Sequence, residues 1–355
     1  MPDTCLAPYF PDVVLSDFGA KVTVDFFFNG AKVLTEIYDA DNDGIAVVRG
    51  LSDFLSEQFD GIAPSLVPGS TQDPQVGKYL RILATPTLSD GTVDSSQSPQ
   101  QSTCLVFPAR AKVGSPFGKF LTTCGRRELY DESFYLSFYA GDYNLTYTIV
   151  PSVGAIVTKS FAISAGDGSE RYDYVLSRDY LYRLANLAAG VSVVRFIAQL
   201  QSKSGTVLDT YSVDFFDSPR RFSKAVYFDN VYLAPDVAVF RGSLQESMPY
   251  EANVLRFTGK LRRVASDVHK EFTLNSGLLS SAEYGVAVQT LEADNVIVQD
   301  ETVVVIGAEV ENAQPKEKPS VFVLKYRLAD KPIVSMERKE EPGGIFSTSF
   351  DNAFD

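Results

Sequence analysis

The segment YDADNDGI, residues 38–45, holds the first side chains whose types and spacing could do chemistry. Asp39, Asp41, Asp43 and Gly44 match the opening of an EF-hand calcium loop. Oxygen ligands at alternate positions suit a hard cation, and the glycine permits the sharp turn. The twelfth position, where a bidentate Glu belongs, is Gly50. The flanks read as strands rather than helices. A tight acidic turn after a strand is the favoured reading, because Asp, Asn and Gly all suit turns. The chain has a single histidine, His269. A His-based metal centre is excluded, and a Ser-His-Asp triad would have to be built around that one residue. His269 reads as a surface or interface residue. Among 45 acidic residues no catalytic carboxylate pair stands out, since such a pair is defined by its separation in space. G-x-S-x-G, H-E-x-x-H and phosphate-cradling glycine loops are missing from the sequence. The expectation is a protein that is not an enzyme, with no catalytic residues, no resident metal and no cofactor.

Cys5, Cys104 and Cys124 are an odd set without a C-x-x-C pair, and they read as free thiols. The pairs Arg126-Arg127, Arg220-Arg221 and Arg262-Arg263 read as partners in inter-subunit or inter-domain ion pairs. Asn144 heads a glycosylation pattern that matters only in a secreted protein. Phe346, Phe350 and Phe354 recur every four residues in small, polar surroundings. A short tail cannot bury three rings on itself. They are the candidate interface residues, on an arm that orders when it docks on a neighbouring subunit.

Strands must position all of this. In KVTVDFFFNGAKVLTEIY, residues 21–38, Asn29-Gly30 is the strongest short hairpin signal. A two-residue turn pairs Phe26 with Val33, Val24 with Thr35 and Val22 with Ile37 on a core face. Phe27 with Lys32, Asp25 with Leu34 and Thr23 with Glu36 then form the mixed face. A second hairpin is expected over residues 193–216, with Val194, Phe196, Ala198 and Leu200 on one face and a turn at Lys203-Ser204-Gly205. Further strands are expected at 79–84, 104–107, 134–139, 145–150, 226–232, 237–241, 254–261, 296–298, 302–306 and 321–328. Abundant Tyr and Phe favour pleated surfaces. Helices are expected in LSDFLSEQFD, capped by Ser52, and over residues 280–293.

With 355 residues, two or three domains are expected. Lys plus Arg is 32 against 45 acidic residues, a net charge of −13. That disfavours naked nucleic acid and anionic membrane surfaces. The opening MPDTCLAPYFPDVV lacks a basic stretch followed by an apolar one, so no secretory signal is expected. No stretch is apolar enough for membrane insertion. The fold class expected is all-β, multi-domain antiparallel β-sandwiches, immunoglobulin-like or jelly-roll-like, with a few short helices. The divisions fall at 1–140, with long polar loops; 141–219; 220–334, with one short helix; and a tail or docking arm at 335–355.

The segment KVTVDFFFNGAKVLTEIYDADNDGIAVVRGLSDFL resembles a β-hairpin, acidic turn and short helix found in virion proteins of tailed phages and prophages of Bacteroidales. FLTTCGRRELYDESFYLSFYA (120–140) and FSKAVYFDNVYLAPDVAVFRG (222–242) are similar to that group. So are EFTLNSGLLSSAEYGVAVQTLEADNVIVQDETVVVIGAEVEN, VFVLKYRLADKP and the phenylalanine-punctuated IFSTSFDNAFD. VYLAPDVAVF departs from the pattern where a more glycine-containing turn is expected, and Trp is absent. The resemblance implies a structural subunit of a phage particle, in the tail, baseplate or neck. It would be made in the host cytoplasm and assembled into the virion beside other virion proteins and copies of itself. The alternative is a β-sandwich module that recognises a glycan or receptor on a phage or host surface. A β-rich hydrolase using acidic residues is a distant third.

Overall fold

The computed structural model describes residues 4–72, 76–111, 115–164, 168–217, 222–257, 260–268, 270–311 and 320–329. In chain order the strands begin with β1 (Thr4–Leu6), β2 (Val13–Leu15), β3 (Lys21–Phe28), β4 (Ala31–Asp39) and β5 (Ala46–Val48). Next come β6 (Thr71–Gln72), β7 (Lys78–Thr87), β8 (Gln100–Phe107), β9 (Arg126–Leu129) and β10 (Phe134–Tyr139). β11 (Tyr143–Pro151), β12 (Val157–Ile163), β13 (Arg171–Leu176), β14 (Val193–Ser202) and β15 (Val207–Phe215) follow. Then come β16 (Lys224–Asp229), β17 (Pro235–Phe240), β18 (Leu244–Ser247), β19 (Tyr250–Phe257) and β20 (Lys260–Val268). The last are β21 (Glu271–Asn275), β22 (Val296–Val298), β23 (Glu301–Glu311) and β24 (Val321–Leu328). Among the described residues three short α-helices interrupt them: α1 (Leu51–Ser56), α2 (Arg178–Leu184) and α3 (Ser281–Val288). None is long and apolar enough to cross a membrane.

The fold is all-β, built of antiparallel sheets as the composition and strand grammar predict. A five-stranded sheet runs β1-β8-β7-β3-β4, and a seven-stranded one runs β17-β16-β22-β23-β24-β21-β18. Between them in sequence, a three-stranded sheet β10-β13-β6 faces a five-stranded sheet β12-β11-β14-β15-β9. Among the described residues two pairings, β1 with β8 and β9 with β15, are parallel.

The middle sandwich shows how alternation makes its core. Phe196, Ala198 and Leu200 of β14 point inward and are fully buried, and Phe134 of β10 meets Phe196 at 5.6 Å between ring centres. Val194, expected on that face, is only half-buried. A register shift where β11 passes Val150 brings Val193 inward instead. Both faces of β10 are buried. Its outer face carries Tyr135 against Tyr227 and Tyr139 against Phe107, so it touches strands from both outer sheets.

The first hairpin corrects the predicted register. Asn29 and Gly30 both take positive φ, as the turn requires, and Phe27 pairs with Lys32 as predicted. A bulge then makes Val33 an extra residue. Phe26 pairs with Leu34, Val24 with Glu36 and Val22 with Tyr38. Val33 and Ile37 therefore face outward, Ile37 at 62% exposure. The shift brings Thr35 opposite Asp25, whose carboxylate accepts from Thr35 Oγ1 at 2.7 Å and from Lys32 Nζ at 2.6 Å. Those contacts hold Asp25 below the usual carboxylate range, Lys32 contributing most.

Other elements also differ from expectation. α1 starts after Gly50, at φ 75°, with no side-chain cap, so Ser52 sits inside the first turn instead of capping it. The expected strand at 226–232 stops at Asp229, because Asn230 to Ala234 close a tight turn with Leu233 at φ 54°. The expected strand at 254–261 is instead the end of β19 and the start of β20.

α3 is fixed by a capping box: Ser280 Oγ accepts from the Glu283 amide, and the Glu283 carboxylate accepts from the Ser280 amide at 3.0 Å. Burial works against the Glu283 charge, but Ser280 and Arg241 outweigh it and lower its pKa. A lowered folded-state pKa stabilises the protein above the ordinary value of 4.5, and that stability is lost as pH falls through the lowered value. Glu283→Gln should therefore cost about 1 kcal/mol at neutral pH. The difference from the parent should vanish in acid, as read from paired denaturation curves.

Candidate functional site

The acidic turn uses its own carboxylate. Asp41 Oδ1 accepts from the amides of Asp43 and Ile45, both at 2.9 Å, and Asp39 is exposed beside Lys21. Among the described residues no group of three metal-ligating side chains converges. Phe346, Phe350, Phe354 and His269 lie outside the described residues, as does the pair Arg220-Arg221. Cys104 and Cys124 are buried, and Cys5 is half-buried.

Arg127, flagged in the sequence, belongs to a larger arrangement. The turn from Asp229 to Asp236 is gripped by three arginines from three distant segments. Arg127 on β9 donates to Asp236 Oδ1 at 2.5 Å and to the Val237 carbonyl. Thr122 Oγ1 donates to the other Asp236 oxygen at 3.0 Å. Arg171 on β13 donates through Nε to both Asp173 oxygens at 2.9 Å and through a terminal nitrogen to the Leu233 carbonyl at 2.8 Å. Arg110 donates to the carbonyls of Asp229 and Asn230, pairs with the Asp229 carboxylate, and reaches Asp294 at 2.7 Å. The remaining Asp229 oxygen accepts from the Asn295 amide at 2.7 Å. Gly61 is pressed against this carboxylate, and a Cβ there would lie 2.1 Å from Asp229 Oδ2.

The electrostatics are those of a lock. Burial pulls the Arg127 guanidinium down, but the Asp236 carboxylate outweighs it and holds the group above its ordinary value. Asp229, Asp236, Arg171 and Asp173 are all almost completely buried. A general acid or base needs a lone pair or proton facing a substrate. These carboxylates direct theirs at guanidinium, amide and hydroxyl donors. The arrangement fastens the three-stranded sheet, the five-stranded sheet that ends in β9 and the chain after β8 to one turn of the seven-stranded sheet.

The second candidate is a cleft of about 420 Å³ at the open side of the middle sandwich. Among the described residues β12 is the edge strand of one sheet there, and the short β6 is the edge of the other. Tyr147, Phe161, Tyr174 and Tyr180 line the cleft with Ile163 and Leu184. Phe161 is 44% exposed at the rim, and Tyr147 lies beneath it at 5.5 Å. Burial pushes the Tyr147 hydroxyl up from its ordinary value. Gly69 closes one side at φ +87°, where a Cβ would meet the Tyr180 ring at 2.5 Å. Such an aromatic, concave surface suits an apolar or aromatic guest. Its walls come from residues 69–71, β11, β12, β13 and α2, so no local pattern in the sequence marks it.

No protein-family model matches the chain. No curated protein matches it either.

Proposed function

We propose that the chain is a structural subunit of a tailed-phage particle, in the tail, baseplate or neck, and that it acts by packing against copies of itself or sister proteins. The observation that carries this reading is the ribbon β19–β20. β18 and β21 pair from Leu244–Leu274 to Ser247–Glu271, and the same two chain segments continue as β19 and β20 from Tyr250–Val268 to Phe257–Lys260. Among the described residues β19 and β20 form a sheet of two strands. Eight residues at about 3.4 Å each give an arm of about 27 Å. A two-stranded ribbon is marginal in water, and a neighbour's surface supplies the missing cover. Arg262 and Arg263, expected in inter-subunit or inter-domain pairs, fall on β20.

Two further features support the reading. The segments resembling virion proteins include the turn Asp229–Asp236 and Arg127, so the resemblance covers part of the buried lock. A lock of that kind suits a protein whose task is to hold shape under load. Negative-stain images of the purified chain should show closed rings or tubes. Dispersed monomers that bind on a glycan array would instead favour the recognition module.

A further inference from the structure

We propose that the cleft between β12 and β6 is the docking site for this chain's own residues 341–355, with the Phe346–Phe354 series entering as an added edge strand. This goes beyond the assembly reading and does not depend on it.

Three observations select this occupant. The first is the guest chemistry. Phe346, Phe350 and Phe354 are four residues apart, so in an extended segment they share one face. The cleft presents Tyr147, Phe161, Tyr174 and Tyr180 to such a face, and rings of this kind prefer offset or edge contacts with one another. The outer edge of β12 offers backbone donors and acceptors to a new strand.

The second is charge. Lys159 Nζ donates to the carbonyl of Leu184 at 2.9 Å, and Lys203 Nζ donates to that of Ile163 at 3.0 Å. Both carbonyls belong to cleft residues. Neither ammonium has a carboxylate partner among the described residues. Among the described residues, then, two cations sit at the cleft bonded to neutral oxygens. The entering segment brings Asp351 and Asp355, which by strand alternation lie on the face opposite its rings. Surface pairs of this sort steer and orient more than they stabilise.

The third is reach. The Ala329 amide is tied to the Thr302 carbonyl at the end of β24. The sheet order places β16 three strands away, about 15 Å at normal strand spacing. Tyr227 of β16 accepts through its hydroxyl from the Ser133 amide at 3.3 Å. The next residue, Phe134, pairs with Leu176, which lines the cleft. Extended at about 3.3 Å per residue, the chain from Asp330 to Phe346 covers about 56 Å. The tail therefore reaches the cleft of its own chain with length to spare.

Hydrogen exchange on the full chain tests this. The β12 amides that point away from β11 should be protected in the parent. In the variant Phe346→Ala, Phe350→Ala, Phe354→Ala they should exchange about tenfold faster or more, while β11 and β14 stay unchanged. Ala162→Glu alters an exposed cleft residue and should give the same loss with the tail intact. Lys159→Gln with Lys203→Gln should remove the salt dependence of the protection. Equal β12 exchange in the parent, the triple variant and Ala162→Glu would overturn the proposal. So would cross-links from the tail to β12 that form only between isotopically distinct copies, since the occupant would then be a second chain. Exchange is read on the monomer as well as on any assembly, so failure to assemble leaves the result interpretable.

Discussion

Asp236→Ala should lower the unfolding free energy by about 3–5 kcal/mol, among the largest losses open to a single substitution in this chain. The substitution removes the carboxylate that holds Arg127, whose side chain is 7% exposed. The guanidinium keeps Thr122 Oγ1 at 3.0 Å and the Val237 carbonyl, but its charge is left buried and unpaired. Arg127→Met in the same background should recover much of the loss, because an apolar pair avoids the desolvation that the ion pair had to offset. Equilibrium denaturation followed by tyrosine fluorescence suits a chain with 18 Tyr and no Trp. If Asp236→Ala alone cost less than about 1 kcal/mol, the turn would not be the lock described.

Phe196→Ala should cost a similar amount, about 3–5 kcal/mol, through lost burial and the cavity left behind. Phe196 is fully buried and touches the rings of Phe134 and Tyr147 at 5.6 and 5.5 Å. The informative control is Ile37→Ala. The unbulged register puts Ile37 in the core beside Val22, whereas the bulge turns it to solvent. Its loss should therefore stay within about 0.5 kcal/mol. A cost above 2 kcal/mol for Ile37→Ala would restore the unbulged hairpin.

That hairpin shows how far sequence carried. Asn29-Gly30 determined the turn, because both residues must adopt positive φ and few others do so cheaply. The bulge was illegible, since it depends on Asp25 finding Thr35 and Lys32 across the strand pair. β13 was missed for a related reason. RYDYVL buries Arg171 and Asp173 on the outer face it shares with Tyr135 and Tyr139, and turns the half-exposed Tyr172 and Tyr174 to the sandwich interior, so no ordinary amphipathic pattern shows. Only the pairing of those two charges with each other and with the Leu233 carbonyl makes that orientation tolerable. α2 was missed because, of its seven residues, only Leu181 is buried, too few for a helical period to show.

The candidate site was legible in fragments. Arg127 stood out as one of a pair of arginines, and Asp229 and Asp236 lay within a segment singled out by resemblance. Nothing local tied them to Arg110 or Arg171, which join the lock through contacts more than sixty positions away. The cleft left no trace, because its walls are edges of two different sheets. The candidate aromatics at 346, 350 and 354 were visible as a spacing, and the lysines and rings around the cleft give that spacing a destination.

Assembly through the arm is the central claim, and sedimentation tests it most directly. Ser247 and Glu271 are cross-strand partners, so residues 248–270 can be replaced by an Asn-Gly turn that closes β18 onto β21. The full chain should sediment as discrete large species, and the shortened chain as a monomer with an unchanged denaturation midpoint. Identical sedimentation of the two chains, whether both monomeric or both assembled, would contradict it.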